Sequence, residues 1–196
     1  KDIFQSLHQR GGENAPPLVY NVKGIFKGGR MKSTLIIAYG NLDREDDGVG
    51  WHILVGVLRA LGRNVPASPE DVFEPHPTDP YPHVQFTLQL YPELAETIAQ
   101  YDRVCFVDAH TGRVPDDLNI EHLTPGFQQS PFTHHMTPQT CLALAHSLYN
   151  AQTEALLVSV RGFSFNFANS LSEPTAKLAE QAVEAIRQWM LAADPG

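Results

Sequence analysis

The stretch Ile36-Ile37-Ala38-Tyr39-Gly40-Asn41-Leu42-Asp43-Arg44-Glu45-Asp46-Asp47-Gly48-Val49-Gly50 decides the fold. An apolar run, Thr34–Tyr39, stops at Gly40-Asn41, and an acidic turn then delivers Asp46-Asp47 to the start of an amphipathic segment. Short, continuously apolar runs bounded by turn residues read as strands covered on both faces. From Asp47 onward Val49, Ile53, Leu54, Val57, Leu58 and Leu61 recur at the three-and-four spacing of one helix face, which ends at Gly62. A strand feeding a helix in this way places its carboxylates at the carboxyl rim of a sheet, where open α/β folds bind ligands.

Outward from this unit the pattern repeats. Val84–Leu90 alternates as a strand, Pro92–Gln100 reads as a helix opened by proline, and Arg103–Val107 is a second continuous apolar strand, ending at Asp108. Thr137-Pro138 opens a helix that runs through Tyr149, Ala155–Val160 forms another buried strand, and Ser172–Leu191 is a final amphipathic helix. This alternation predicts a three-layer α/β/α fold, with a mostly parallel central sheet of about five strands and helices on both faces. Residues 64–83, carrying Pro66, Pro69, Pro75, Pro77, Pro80 and Pro82, read as a surface loop, and residues 112–131 read as irregular.

At 196 residues and 42% apolar content the chain is expected to form one α/β domain over residues 31–196. Residues 1–30, Gly-rich and polar apart from Leu18-Val19-Tyr20, read as an N-terminal extension or appended segment, with Leu18–Phe26 available as an added edge strand. A net charge of −8, from 22 acidic and 14 basic side chains, argues against nucleic acid as a partner. No apolar stretch approaches the roughly 18 residues of a membrane span. Cys105 and Cys141 lack CxxC spacing and sit in apolar runs, which points to buried reduced thiols and a cytoplasmic location. Gly-x-Gly-x-x-Gly, Gly-x-Ser-x-Gly, His-Glu-x-x-His and a Walker lysine are all missing, so nucleotide-binding and common hydrolase templates gain no support.

What remains is a constellation of polar residues at strand ends: Asp46-Asp47, Asp108, and His134-His135 before the Thr137 helix. Two carboxylates with an imidazole suit a divalent cation such as nickel or zinc, with coordination positions left for a substrate group or a water. Simpler roles stand beside this one. One of Asp46 and Asp47 is a natural helix N-cap, Asp108 can cap a turn, and the two carboxylates can act as acceptors for a small molecule. His110, two residues beyond Asp108, is less easily dismissed than the other scattered histidines.

Gly40-Asn41…Asp46-Asp47-Gly48-Val49-Gly50 resembles the opening motif of the hydrogenase maturation proteases, endopeptidases that trim the C-terminus of nickel-iron hydrogenase large subunits. Phe106-Val107-Asp108-Ala109 is similar to that family's second motif, Thr133-His134-His135-Met136-Thr137-Pro138 to its third, and Leu171-Ser172-Glu173-Pro174 to its closing pattern. The resemblance runs from about Thr34 to about Met190. It implies a metal-dependent peptidase-like domain that removes a C-terminal extension from a hydrogenase large-subunit precursor or another nickel protein. Asp47, Asp108 and His134 become both the metal ligands and the catalytic residues, with His135 as the fallback ligand. The cation implied is nickel presented by the substrate, with zinc or cadmium able to substitute. One of the same carboxylates, or a neighbour such as Glu45, is then the general base. A non-catalytic factor that inspects nickel with the same ligands is the alternative. Where the family often carries an Asp-Gly-Gly-Thr-like stretch tied to substrate choice, this chain reads Gln85-Phe86-Thr87-Leu88-Gln89-Leu90. Gln89 and the proline-rich loop are therefore expected to border the substrate groove of a divergent branch.

Overall fold

A computed structural model describes residues 32–72, 78–127 and 136–192. The expected extension over 1–30 and its edge strand lie outside the described residues, as do His134 and His135. Five strands form one sheet: β1 (Thr34–Tyr39), β2 (His83–Thr87), β3 (Arg103–His110), β4 (Leu118–Leu123) and β5 (Glu154–Arg161). Their spatial order is β2-β1-β3-β5-β4, with every neighbouring pair parallel except β4 with β5. The mostly parallel sheet of about five strands expected from the sequence is the one observed.

Strand periodicity sorts the core into two layers. Ile36, Ala38, Cys105, Val107, Val158 and Val160 face one side, where they meet α1 (Val49–Ala60) and α4 (Glu173–Leu191). Leu35, Ile37, Val104, Phe106 and Ala155 face the other, against α2 (Leu94–Ile98) and α3 (Pro138–Tyr149). Strands packed on both faces cannot alternate polar with apolar, which is why β1 and β3 read as continuous apolar runs. Phe106 is fully buried at the centre of the second layer, and burial of such a side chain contributes about 2 kcal/mol.

Two expectations need correction. Residues 112–131, read as irregular, contain β4, which pairs antiparallel with β5 at the sheet edge. Its side chains Ile120, Glu121 and His122 are exposed, and an edge strand that faces solvent has no apolar run to announce it. The strand expected over Val84–Leu90 is shorter and shifted, His83–Thr87, and Leu88 beyond it stands in solvent. In the proline-rich segment the regular structure described is a single short 3-10 turn, Pro69–Asp71.

Close approach at the end of β1 fixes where the acidic turn sits. Gly40 adopts φ +137°, in the region that favours glycine, and a Cβ there would collide with the Asp47 carbonyl. At Gly50 a Cβ would lie 2.9 Å from the Tyr39 carbonyl oxygen and 3.2 Å from that of Val107. Both glycines hold the start of α1 against the carboxyl ends of β1 and β3, so Asp47 and Asp108 are delivered to the same rim.

Candidate functional site

The acidic turn is a 3-10 helix, Glu45–Gly48, rather than the first turn of α1. Neither Asp46 nor Asp47 caps α1: the residue at its N-cap is Gly48, and no side chain accepts there. The two adjacent carboxylates have separate tasks instead. Asp46 is fully buried and accepts four hydrogen bonds, from the backbone N–H of Phe163, Ser164 and Ser172 and from Ser172 Oγ, at 2.7–2.8 Å. Burial pushes its carboxyl up, but these donors outweigh that and hold it below the ordinary carboxylate range. Through Asp46 the opening turn is tied to the segment between β5 and α4, including Ser172 at the N-cap of α4.

Glu45 strengthens the same tie. Its backbone lies at φ +47°, and its carboxylate accepts from Ser164 Oγ and from the backbone and side-chain nitrogens of Asn166. The Ser164 hydroxyl and the Asn166 N–H keep its carboxyl below the usual range. A carboxylate so occupied is a poor proton acceptor, which weighs against Glu45 as general base.

Asp47 is different. One of its oxygens accepts the Asn41 N–H at 3.0 Å, which folds the loop Asn41–Asp47 back on itself. Asn41 Oδ1 accepts from Asp43 N, so the Asn41 side chain serves the loop and not the site. The half-buried Asp47 carboxylate is close enough to Asp108 to raise it electrostatically. Asp108 follows Val107 within β3, on the α2/α3 face, and its Oδ1 accepts the N–H of Ala109 at 2.7 Å. Loss of solvent, and then the facing Asp47 charge, push the Asp108 carboxyl up to about 7, against the hydrogen bonding of Tyr39 and Ala109, which lowers it. The groups acting on Asp108 among the described residues include no cationic side chain. Two acidic groups that face one another without a counter-charge will take up a proton or a cation.

Asp47 thus comes close enough to Asp108 to act on it, both at the carboxyl rim. The third residue of the predicted set, His134, and its fallback His135 precede α3, which is described from Met136 and the N-cap Thr137 onward. Cys141, in the second turn of α3, is among the groups that act on the Tyr39 hydroxyl, so the start of α3 lies on the side of the sheet that Asp108 occupies. Among the described residues no cluster of three His, Cys, Asp or Glu side chains is assembled to hold a metal ion.

Two further residues border this rim: Tyr39, which the sequence reading passed over, and His110, which it left open. Tyr39, the last residue of β1, stands beside Asp108 in the register of β1 with β3, and its buried hydroxyl is raised by loss of solvent and then by the Asp108 charge. His110 accepts the Gly112 N–H at Nδ1, leaving Nε2 buried with no partner. The apolar strand ends carried the signal for both. Cys105 and Cys141 are free and buried, and loss of solvent pushes both thiols up, Cys141 to about 12, so neither is a reactive nucleophile. Beside the rim, Gly40, Leu42, Pro69, Glu70, Phe86 and Leu88 line a surface groove.

The fold has clear counterparts among solved structures. The [NiFe] hydrogenase maturation protease HycI from Thermococcus kodakarensis superposes with a TM-score of 0.52 at 19% identity, covering 87% of this chain and 97% of that one. The hydrogenase maturating endopeptidase HybD from E. coli superposes with a TM-score of 0.51 at 18% identity, covering 81% and 91%. The hydrogenase maturation protease HybD from Thermococcus kodakarensis gives 0.51 at 17%, covering 81% and 99%. No protein-family model matches the chain, and neither does any curated protein sequence. These likenesses establish a shared α/β fold along nearly the whole of those chains.

Proposed function

We propose that this chain is a hydrogenase maturation endopeptidase, which removes a C-terminal extension from a nickel-containing large-subunit precursor. The observation that carries the reading is the approach of Asp47 to Asp108, with no cationic side chain acting on Asp108 among the described residues, at the carboxyl rim of a fold shared with maturation proteases. The order of the four sequence motifs supports it. So does the physical link between the first and last of them, since Ser172 of the closing motif donates to Asp46 of the opening one.

In this reading the substrate supplies the divalent cation, and Asp47, Asp108 and His134 receive it. The positive charge offsets the loss of solvent, and with it the lesser repulsion from Asp47, that raise the Asp108 carboxyl. It also polarises the scissile carbonyl and lowers the pKa of a bound water. With Glu45 occupied by Ser164 and Asn166, proton transfer falls to Asp47 or Asp108. The groove beside Gly40 and Leu42 is the path for the extension. Pro69 and Glu70 of the proline-rich loop line it, and Gln89, whose carbonyl accepts the Thr87 hydroxyl, adjoins Leu88 at its edge. A reducing cytoplasm suits the two free thiols, and no helix among the described residues is long and apolar enough to cross a membrane.

The test is incubation with a nickel-loaded large-subunit precursor and mass spectrometry of its C-terminus. The native chain is expected to release the extension, and Asp47→Ala, Asp108→Ala and His134→Ala are each expected to leave it attached with an unchanged circular dichroism spectrum. Complete cleavage by all three variants overturns the mechanism. Retention of the nickel-loaded precursor without cleavage by the native chain identifies a non-catalytic assembly factor instead.

A further inference from the structure

We infer that the loop between β5 and α4 docks the folded body of the large-subunit precursor, through the Phe167 ring and the Arg44 guanidinium stacked on it; this rests on the reading of the adjoining rim as the cleavage site. The stretch Gly162-Phe163-Ser164-Phe165-Asn166-Phe167-Ala168 alternates aromatic with small or polar residues. Its backbone polar groups are engaged by the acidic turn. The N–H groups of Phe163 and Ser164 donate to Asp46 at 2.8 Å, and that of Asn166 donates to Glu45 at 3.0 Å. In return the Ala168 carbonyl accepts the Glu45 N–H at 2.8 Å, and the Ser164 carbonyl accepts the Asp46 N–H at 3.2 Å. Of the rings, Phe165 closes over Gly162, where a Cβ would lie 2.4 Å from its tip, whereas Phe163 and Phe167 are left in solvent.

A single apolar side chain in solvent is ordinary. Phe167, 88% exposed, differs in what surrounds it. The Arg44 guanidinium lies 5.7 Å from its ring centroid, and that of Arg161 lies 4.8 Å from the Phe163 ring, so two exposed aromatic faces each carry a cation. Arg161 is already paired with Asp117 at 3.0 Å, but Arg44 enters no ion pair among the described residues. Aromatic rings and arginine are the side chains that interfaces concentrate at their anchoring points. This pair fits an apolar recess bordered by a carboxylate.

Position names the occupant. Arg44 stands three residues before Asp47 and is bridged to Ala168, while Leu42 of the same turn lines the groove beside the rim. The loop itself hangs on Asp46, the residue next to Asp47. A folded protein that brings its C-terminal segment to Asp47 and Asp108 therefore meets Phe167 and Arg44 in the same encounter. The hydrogen bonds to the acidic turn fix the loop beforehand, so little ordering entropy opposes docking.

The probe is a nickel-loaded large-subunit precursor, with its Kd measured calorimetrically against the full chain in an Asp108→Ala background that leaves the precursor intact. Phe167→Ser is expected to weaken binding about tenfold or more, and Arg44→Gln about fivefold. The double variant is expected to lose less than the product of the two, because the side chains act as one pair. Both side chains stand in solvent, so melting temperatures stay close to that of the parent. Leu148→Ser, at another exposed apolar residue near the end of α3, is the control and keeps the parent affinity. In the otherwise native chain, Phe167→Ser raises KM and leaves kcat within about twofold. Equal precursor affinity in Phe167→Ser and its parent overturns the inference, and so does an equal loss in Leu148→Ser. A precursor that loses affinity for Phe167→Ser but is never cut by the native chain ends the endopeptidase reading and upholds the docking surface. A precursor that neither binds nor is cut ends both.

Discussion

Asp46 and Asp108 are both desolvated carboxyls at the same rim, and they are treated in opposite ways. Four donors converge on Asp46 and keep it ionised although it is fully buried. Asp108 accepts from Ala109, faces Asp47, and is pushed up to about 7. The contrast separates a carboxylate that builds the fold from one kept short of partners. A satisfied charge is structural because nothing further can be gained by binding at it. A carboxyl raised beside a second carboxylate, with no cationic side chain acting on it among the described residues, gains from an added proton or cation.

The comparison breaks most sharply at Asp46. Replacing it with Ala strands three backbone N–H groups in the loop between β5 and α4 and removes the link to the acidic turn. Each orphaned donor costs on the order of 1–3 kcal/mol, so Asp46→Ala is expected to lose about 4 kcal/mol in urea unfolding. A loss below about 1 kcal/mol, the range of an ordinary surface substitution, shows that the turn is held by other contacts.

Asp108 is expected to behave in the reverse sense. Its carboxyl, raised to about 7, keeps its proton in the folded chain at pH values where the unfolded chain has released it. The metal-free native protein therefore loses stability as pH climbs from the ordinary carboxylate range to about 7, and loses no more above it. Asp108→Asn cannot ionise and escapes that loss. After discounting for solvent at a half-buried group, it is expected to be about 2 kcal/mol more stable than the native chain at pH 8. The two chains should be nearly equal at pH 4. Urea titrations at the two pH values decide this, and a variant less stable than the native chain at pH 8 removes the case for a carboxyl held raised in the fold.

How much of this was legible in the sequence follows from the same physics. The continuous apolar strands β1 and β3 and the face of α1 are local patterns, and they led to the sheet, its parallel sense and the placing of Asp46-Asp47 and Asp108 at one rim, while the choice of Asp47 came from the family resemblance. β4 left no such pattern, because an antiparallel edge strand with Glu121 and His122 in solvent buries too little to alternate clearly. The role of Asp46 was unreadable because all four of its donors lie more than 110 positions away, between Phe163 and Ser172. Local rules offered a helix cap, and long-range hydrogen bonding claimed the side chain instead. Tyr39 escaped notice for a related reason: as the last residue of an apolar strand it reads as core until the register with β3 brings it beside Asp108.

Glu45 supplies the finest test, since it belongs to the same turn as both carboxylates under comparison. If the turn divides cleanly between fold and chemistry, Glu45 falls with Asp46. Its oxygens are engaged by Ser164 and Asn166, and those hydrogen bonds keep its carboxyl below the usual range. Glu45→Gln retains one acceptor oxygen for these donors, so precursor cleavage is expected to stay within about twofold of the native rate at every pH, because removal of a true general base costs about 10²–10⁴-fold. A loss of that size, with the basic shift of the pH profile that an altered base produces, would move Glu45 across the divide and make the turn catalytic at two of its three acidic positions. Cleavage that survives in Glu45→Gln but fails in Asp47→Ala draws the boundary between Asp46 and Asp47, at a single peptide bond.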